Sequence, residues 1–396
     1  MEKKPNVKFN MKIAFMKSIA LPYRIAFFQR LSQIFDVDFF LKRIEGRNNE
    51  GTSKLSYKQY RHYNLPFLRS YGSSGYGNPS FPINLGFDLL KKKYNLMISK
   101  GIGTFATYIS FLVSMILRTP FIIWDETWYY PPTLARKIAL NFAKIILRYT
   151  KAIIVPGSKS REFFVSLGVE PHKIFVAPNA CRKQQVDPEI TKALRKKKEL
   201  ENKRVIVYFG RLIERKGCQY LIRAFVQLQR EFPDLLLVIA GDGPYKNKLK
   251  DLCQMLKAKN VHLLGYIKEE EKPSVYSLAS IVVVPSIRTP INPEIWGIVL
   301  NEAMSLSKPI IATDAVGAAY DLIKDGVNGF IVQERNVREL YLSMKKIISD
   351  EDMATRMGEC SRALINKKFS LDNMLFGFTK AIKFVMEKSR KKSSWD

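Results

Sequence analysis

Cysteine, histidine and acidic charge are all scarce in this 396-residue chain, and each scarcity closes off a class of protein. The four cysteines, Cys181, Cys218, Cys253 and Cys360, are scattered at no metal-ligand spacing, so they read as small core residues or free thiols suited to a reducing compartment. No resident metal is expected. Long apolar runs are missing too. The longest uncharged stretch, residues 101–117, contains Gly, Thr and Ser and falls short of the ~20 residues that cross a bilayer, so it is expected to be a buried helix. The apolar stretch after Met11 is broken by Lys12, Lys17, Arg24 and Arg30, and no secretory signal is read there. Asp plus Glu number 36 against 65 Lys plus Arg, a net charge of +29 that is denser in the first half. Nucleic acid, an anionic membrane face and a phosphorylated substrate are all attracted to such a field, although a Lys-rich solvated surface gives the same count. Nucleic acid is disfavoured, because no recognition helix, zinc pattern or aromatic-interleaved basic motif accompanies the charge.

What the chain does have is core-forming material, 46% hydrophobic and 12% aromatic, enough for two domains. β-Branched runs alternate with segments of helical period, the pattern of parallel βα units. In the first half, strands are predicted at 12–18, 37–41, 94–100, 121–125, 152–156 and 174–177, with helices at 22–34, 104–117, 133–149 and 159–167. A loop-like stretch, 46–84, is expected to pass over a substrate cleft. After a charged break at 182–203 the alternation restarts, with strands at 205–209, 235–240, 261–264, 281–284, 309–313 and 329–332. The expected architecture is α/β: two doubly wound Rossmann-like domains, 1–185 and 186–371, facing across a cleft. A final helix within 372–396 is expected to cross back to the first domain.

Three segments of the second half carry chemistry. Tyr208-Phe209-Gly210-Arg211-Leu212-Ile213-Glu214-Arg215-Lys216-Gly217 runs from a strand end into a helix. Gly210 permits a sharp turn, and Arg211 and Lys216 supply a planar fork and a point charge for a diphosphate; two solvated cations beside a turn is the competing reading. Ala240-Gly241-Asp242-Gly243-Pro244 also closes a strand and opens a helix. Gly241 and Gly243 let backbone approach a ligand or simply make a turn, and the spacing is not that of a dinucleotide fingerprint. Third, Glu294 precedes a helix start at Gly297, Ile298 and Val299, whose free N–H groups and dipole suit a phosphate, while Glu302 lies more than one turn inside. Glu294 can accept from sugar hydroxyls and Glu302 from a ribose. The two carboxylates also fit an acid/base pair for glycoside hydrolysis, but an anion site beside them favours a phosphorylated sugar.

Taken in order, these segments resemble the C-terminal half of a glycosyltransferase family 4 enzyme, which has the GT-B fold. The resemblance spans about 205–330, with Glu294 and Glu302 in a Glu-x7-Glu pattern, Gly241 to Pro244, Pro309 to Thr313, 317–323 and 326–330. Pro22-Tyr23-Arg24-Ile25 with Phe28 is similar to the loop and first helix of one branch, and places Pro22, Tyr23 and Arg24 on the acceptor side. The family implies that Arg211 and Lys216 hold the donor diphosphate with the amides near Gly297, that Glu302 binds the ribose, and that Glu294 binds the donor sugar. It implies transfer from a UDP- or GDP-sugar with retention of configuration, charge on the diphosphate being stabilised by cations rather than a metal.

Two departures stand out. Ser18-Ile19-Ala20-Leu21-Pro22 lacks the glycines many members have after the first strand, and none of His62, His172 or His262 follows the 121–124 strand. Trp124-Asp125-Glu126-Thr127-Trp128 stands there instead, and Asp125 or Glu126 is expected to face the acceptor hydroxyl, with helix capping as the alternative. The acceptor is read as a saccharide or lipid-linked saccharide. First-half basicity, Lys91-Lys92-Lys93 and Phe27, Phe28, Phe39 and Phe40 suit docking on an anionic membrane, so the expected location is cytoplasmic, peripheral on the cytoplasmic membrane face if docking occurs. A sugar-nucleotide epimerase of the same architecture is the main competing function.

Overall fold

The computed structural model describes residues 9–44, 56–64, 80–130, 134–182, 184–197, 200, 203–289 and 294–393. The chain divides into two compact units, one of residues 1–180 with 371–396 and one of residues 181–370.

The first unit is built on strands β1 (Phe9–Ala20), β2 (Phe35–Ile44), β3 (Tyr57–Gln59), β4 (His62–Asn64), β5 (Ser80–Pro82), β6 (Leu96–Lys100), β7 (Phe121–Trp124), β8 (Ala152–Val155) and β9 (Ile174–Val176). Seven of them pair in the order β3-β2-β1-β6-β7-β8-β9, every pair parallel, while β4 and β5 form a separate antiparallel pair. Helices α1 (Pro22–Ile34), α2 (Leu85–Leu90), α3 (Phe105–Ile116), α4 (Leu134–Tyr149) and α5 (Ser158–Ser166) make the crossovers. A parallel sheet must bury both faces, and alternate residues along each strand serve the two sides. Ile13, Phe15, Leu96, Ile98, Ile122 and Trp124 pack under α1, while Ala14, Met16, Met97, Ile123 and Ile153 join a second core with α2, α3 and α4. The 46–84 stretch holds β3, β4 and β5, but most of it, including 65–79, lies outside the described residues.

The second unit begins with α6 (Pro188–Lys197) inside the charged break and continues through β10 (Val205–Phe209), α7 (Cys218–Gln229), β11 (Leu236–Ala240), α8 (Lys246–Met255), β12 (Val261–Gly265), α9 (Lys272–Ser277), β13 (Ile281–Val284), α10 (Ile298–Ser305), β14 (Ile310–Thr313), α11 (Ala319–Leu322), β15 (Gly329–Val332), α12 (Val337–Ile348) and α13 (Glu351–Lys368). Its six strands are all parallel in the order β12-β11-β10-β13-β14-β15, the Rossmann arrangement. The last helix, α14 (Leu371–Ser393), belongs to the first unit. Its Met374, Phe378, Ala381, Ile382 and Val385 close the core under Phe15, Phe27 and Trp124, with Phe378 and Trp124 ring centroids 5.2 Å apart.

Four sequence expectations need adjusting. The first unit ends at residue 180 rather than 185. Phe27, Phe28, Phe39 and Phe40 are core residues with at most 1% exposure, so none is available to a membrane. Lys92 is committed to Asp38 at 2.9 Å. Helix α3 is buried on one face only, because Leu112, Met115 and Ile116 are exposed.

Truncating Phe378 to Ala should cost the first unit about 3–5 kcal/mol, by lost transfer energy and a residual cavity. Phe376→Ala, on the exposed side of the same helix, should change stability by less than ~0.5 kcal/mol. Urea denaturation followed by tryptophan fluorescence compares the two; equal midpoints would show that α14 is not part of this core.

Candidate functional site

In the second unit the chain changes direction across the sheet at β10, which has β11 on one side and β13 on the other. Loops leaving the carboxyl ends of such strands diverge and open a crevice, the place where open α/β sheets take ligands. The loop after β10 is laced to its neighbour. Gly210 N–H donates to the Ala240 carbonyl and Leu212 N–H to the Asp242 carbonyl, both at 2.9 Å. A Cβ on Gly241 would lie 1.9 Å from the Gly210 carbonyl oxygen, and one on Gly243 2.3 Å from that of Leu212. Contact between the two loops therefore requires these glycines. Gly217 ends the turn at φ +67°, and a Cβ there would meet the Pro285 carbonyl oxygen at 1.7 Å, so the turn is pinned against the segment after β13.

This pinned turn presents Arg215 and Lys216 to Glu294. One carboxylate oxygen, Oε2, accepts from Arg215 Nη1 at 2.9 Å and from Lys216 Nζ at 2.5 Å. The Glu294 backbone is fixed as well, its N–H donating to the Ala315 carbonyl and its carbonyl accepting from Gly317 N–H. Burial pushes the Glu294 carboxyl up, but the charges and hydrogen bonds of Lys216 and Arg215 outweigh it and hold the group below its ordinary value. Arg211 stands apart. It is exposed, and its carbonyl accepts from Tyr208 Oη at 3.3 Å and from Ile213 N–H.

Helix α10 starts just beyond, with Gly297 at φ +85° as its cap and Trp296 Nε1 donating to Asn301 Oδ1 at 2.8 Å across the first turn. Ile298 and Val299 open the helix, so their amides belong to the end that carries partial positive charge. Glu302 follows, 5% exposed, with Oε2 accepting from Tyr276 Oη at 2.7 Å and Oε1 4.0 Å from Lys272 Nζ. Burial raises the Glu302 pKa, and Lys272 and Tyr276 offset this only in part. Phe209 stacks on Tyr276 with centroids 5.0 Å apart, giving a flat aromatic pair beside the carboxylate. The two acids are thus pushed in opposite directions, as in a hydrolytic pair. Yet the Glu294 oxygen is already shared by two cations, which suits a positioned acceptor of hydrogen bonds better than a proton carrier.

Residues 190–364, which include every group just described, match the family model for Glycosyl transferases group 1. The chain carries a glycosyl transferases group 1 domain. The chain is similar to the alpha-D-kanosaminyltransferase of Streptomyces kanamyceticus, 29% identical over 286 residues, 68% of this chain and 72% of that protein. It is similar too to the GDP-mannose-dependent alpha-(1-6)-phosphatidylinositol monomannoside mannosyltransferase of Mycolicibacterium smegmatis, 31% identical over 191 residues, 47% of this chain and 48% of that one. The chain therefore spans less than half of this second relative. Among solved structures, Anabaena HepE in complex with UDP and glucose superposes with a TM-score of 0.76 at 20% identity, over 94% of this chain and all of that one, which establishes the GT-B fold. The group 1 domain and these relatives make the protein a nucleotide-sugar-dependent glycosyltransferase, and an epimerase is not favoured.

Of the residues expected to grip the donor, the group 1 domain brings Lys216 and Glu294 into contact and sets Glu302 beside the same helix start. The guanidinium on Glu294 is that of Arg215, a residue the sequence did not single out. Tyr276 and Lys272, which face Glu302, had no signature in the sequence beyond helical spacing on α9.

In the first unit, Arg24 is 1% exposed and donates through Nη2 to Glu126 and to Asn179, both at 2.6 Å. Its guanidinium is turned into the fold. Pro22 is the first residue of α1, and the Tyr23 ring lies 4.9 Å from the Arg24 guanidinium carbon. Asp125 accepts from Ile102 N–H at 2.6 Å and Thr127 N–H at 2.7 Å, so both of its oxygens brace loops. Glu126 meets Arg24 and, at 3.1 Å, Lys100. Neither carboxylate caps a helix; Thr104 caps α3.

Burial pushes Glu126 up, but Lys100, Arg24 and Lys17 pull it down to about 2. A carboxylate depressed in this way adds stability above its ordinary 4.5 and loses it as pH falls toward about 2. Glu126→Gln should cost about 3–5 kcal/mol at neutral pH by leaving buried cations unpaired, and should flatten the loss of stability between pH 4.5 and 2. Denaturation midpoints across that range test both; parallel pH profiles for the two proteins would contradict the assignment.

Proposed function

We propose that the protein is a retaining glycosyltransferase that holds the diphosphate of a UDP- or GDP-sugar on Lys216, Arg215 and Arg211 and on the amides at the start of α10. The observation that carries this reading is Glu294 Oε2 shared by Arg215 and Lys216 next to the Gly297 helix start. The ion pairs fix both cations beside the helix start, and the helix dipole adds to the same field. Glu302 offers Oε1 to a ribose hydroxyl while Oε2 keeps Tyr276, so the grip is through one oxygen rather than two. Phe209 and Tyr276 give the base a flat apolar neighbour. Glu294 accepts from a hydroxyl of the donor sugar. Charge that develops on the departing diphosphate is stabilised by fixed cations, so no metal ion is needed.

The acceptor belongs to the first unit and is a saccharide or a lipid-linked saccharide. Membrane docking is supported by the exposed faces of α3 and α4 rather than by the aromatics of α1 and β2. On α4, Ile138, Phe142, Ile145 and Tyr149 recur at helical spacing and are each more than half exposed. Leu112, Met115 and Ile116 of α3 lie exposed on the neighbouring helix, joined to α4 by the Phe111–Tyr149 ring contact. Exposed Lys137, Lys144, Arg148, Lys151 and Arg118 flank them, the combination of apolar stripe and basic rim that settles into an anionic leaflet. Among the described residues no helix is long and apolar enough to cross a membrane.

A panel of UDP-, GDP- and ADP-sugars, with and without lipid-linked acceptors and with a chelator present, should show nucleotide release with at least one UDP- or GDP-sugar, in proportion to acceptor and insensitive to chelation. Lys216→Ala should lower kcat by about 10²-fold or more, and Glu302→Gln should chiefly raise the donor KM. Release without acceptor that yields a sugar isomer would count against transfer, and inversion at the product's anomeric carbon would count against retention. Co-sedimentation with anionic vesicles should be lost on replacing Phe142 and Ile145 by Ser; binding that survives both changes would move the docking surface elsewhere.

A further inference from the structure

The first unit has a reversal point of its own, and a group of charges there has no task in the donor chemistry. The chain changes direction across this sheet at β1, between β2 and β6. Lys17 and Lys100 continue the alternation of Ile13–Phe15 and Leu96–Ile98 and so share the sheet face of Trp124. Lys17 Nζ, Lys100 Nζ and the Arg24 guanidinium carbon lie 4.9, 4.4 and 4.9 Å from the Trp124 ring centre. Three cations thus converge at the carboxyl ends of two adjacent parallel strands, all largely buried. Lys17 and Arg24 are 8% and 1% exposed, and the Lys100 side chain 18%.

Negative charge does not balance them. Glu126 pairs with Arg24 and Lys100, and the charge of Asp125 reaches Lys100 while both its oxygens are taken by backbone amides. No acidic group among the described residues forms an ion pair with Lys17, and the Arg24 Nε–H is buried with no hydrogen-bond partner among them. Burial, with Lys100 and Arg24 nearby, pushes the Lys17 ammonium well below its usual pKa, although Glu126 opposes this. Leaving charge unpaired in such a setting costs several kcal/mol. An anion entering the cluster would remove the imbalance, taking ammonium donors from Lys17 and Lys100 and the spare Nε–H of Arg24. Arg and Lys together are what phosphoryl recognition requires, one a fixed fork and the other a mobile point charge.

We propose that Lys17, Lys100 and Arg24, gathered around Trp124 at the reversal point of the first sheet, form a subsite for a phosphoryl group carried by the acceptor. This rests on the reading that the first unit takes the acceptor. Lys17, the cation without a carboxylate, is the member whose charge most depends on the ligand.

The test follows the Trp124 indole N–H resonance of the full-length protein, identified with Trp124→Phe, during titration with inorganic phosphate at saturating UDP. The resonance should move saturably at millimolar phosphate with UDP still bound. Lys17→Met should weaken phosphate binding about tenfold, the loss of one charge-assisted hydrogen bond, with UDP affinity unchanged. Lys17→Arg should keep the binding, and Lys100→Met serves should Lys17→Met fail to fold. A resonance that ignores phosphate, equal affinity in the neutralised variants, or displacement of phosphate by UDP overturns the subsite. Failure of the wild-type protein to bind any nucleotide would instead strike the donor reading, and the phosphate titration without UDP would still decide this one. A soluble sugar phosphate and a short-chain polyprenyl diphosphate sugar then compete with phosphate. Displacement by either identifies the acceptor class; displacement by neither overturns the assignment to the acceptor.

Discussion

A parallel sheet sends the carboxyl end of every strand to one edge, and the rest of this protein depends on that constraint. Both faces of the sheet are consumed by crossover helices, so strand interiors must be apolar, as Ile206 to Phe209 and Ile13 to Met16 are. Polar and charged groups are left to the edge. There the loops diverge only where the winding reverses, beside β10 in one unit and β1 in the other. A charge cluster stands at each of those two points: Glu294 with Arg215 and Lys216, and Glu126 with Arg24, Lys100 and Lys17.

The clusters solve the burial of charge differently. In the group 1 domain one carboxylate oxygen holds two cations in a fixed arrangement, while a second carboxylate, Glu302, is buried against a tyrosine hydroxyl with a single ammonium, that of Lys272, at the limit of ion-pair distance. The first is a preorganised field, which costs no reorganisation when charge develops on a ligand. The second is a discriminating hydrogen-bond acceptor. In the first unit an aromatic ring does part of the work that counter-charges do elsewhere, its negative face turned to three cations.

Much of the second unit was legible in the sequence because its signals are local. Strand ends followed by glycine, such as Phe209-Gly210 and Ala240-Gly241, mark edge loops, and β10, β13 and β15 fall where the apolar runs predict them. What was not legible is that Arg215 faces Glu294. Arg211 and Arg215 stand four residues apart in one turn, and only the tertiary contact of Gly217 with Pro285 turns Arg215 toward Glu294. The first unit reads less well for a physical reason. The partners of Arg24 are Glu126, Asn179 and Met374, as far as 350 residues away along the chain, and no spacing rule relates them. Phe27 and Phe40 have the composition of a membrane anchor and the environment of a core, a distinction only packing makes.

The return of α14 to the first unit has a consequence for how the protein comes into being. Phe378, Ile382 and Val385 are integral to the layer beneath Phe15, Phe27 and Trp124, and they are synthesised after the whole of the second unit. Domains generally fold as units in the order they leave the ribosome. Here that order is inverted: the first unit keeps an apolar face uncovered until α14 has been made, while the contiguous group 1 domain is complete before it. The nascent first unit must therefore stay in solution through the synthesis of some two hundred further residues, and its excess of positive charge is suited to keeping it there.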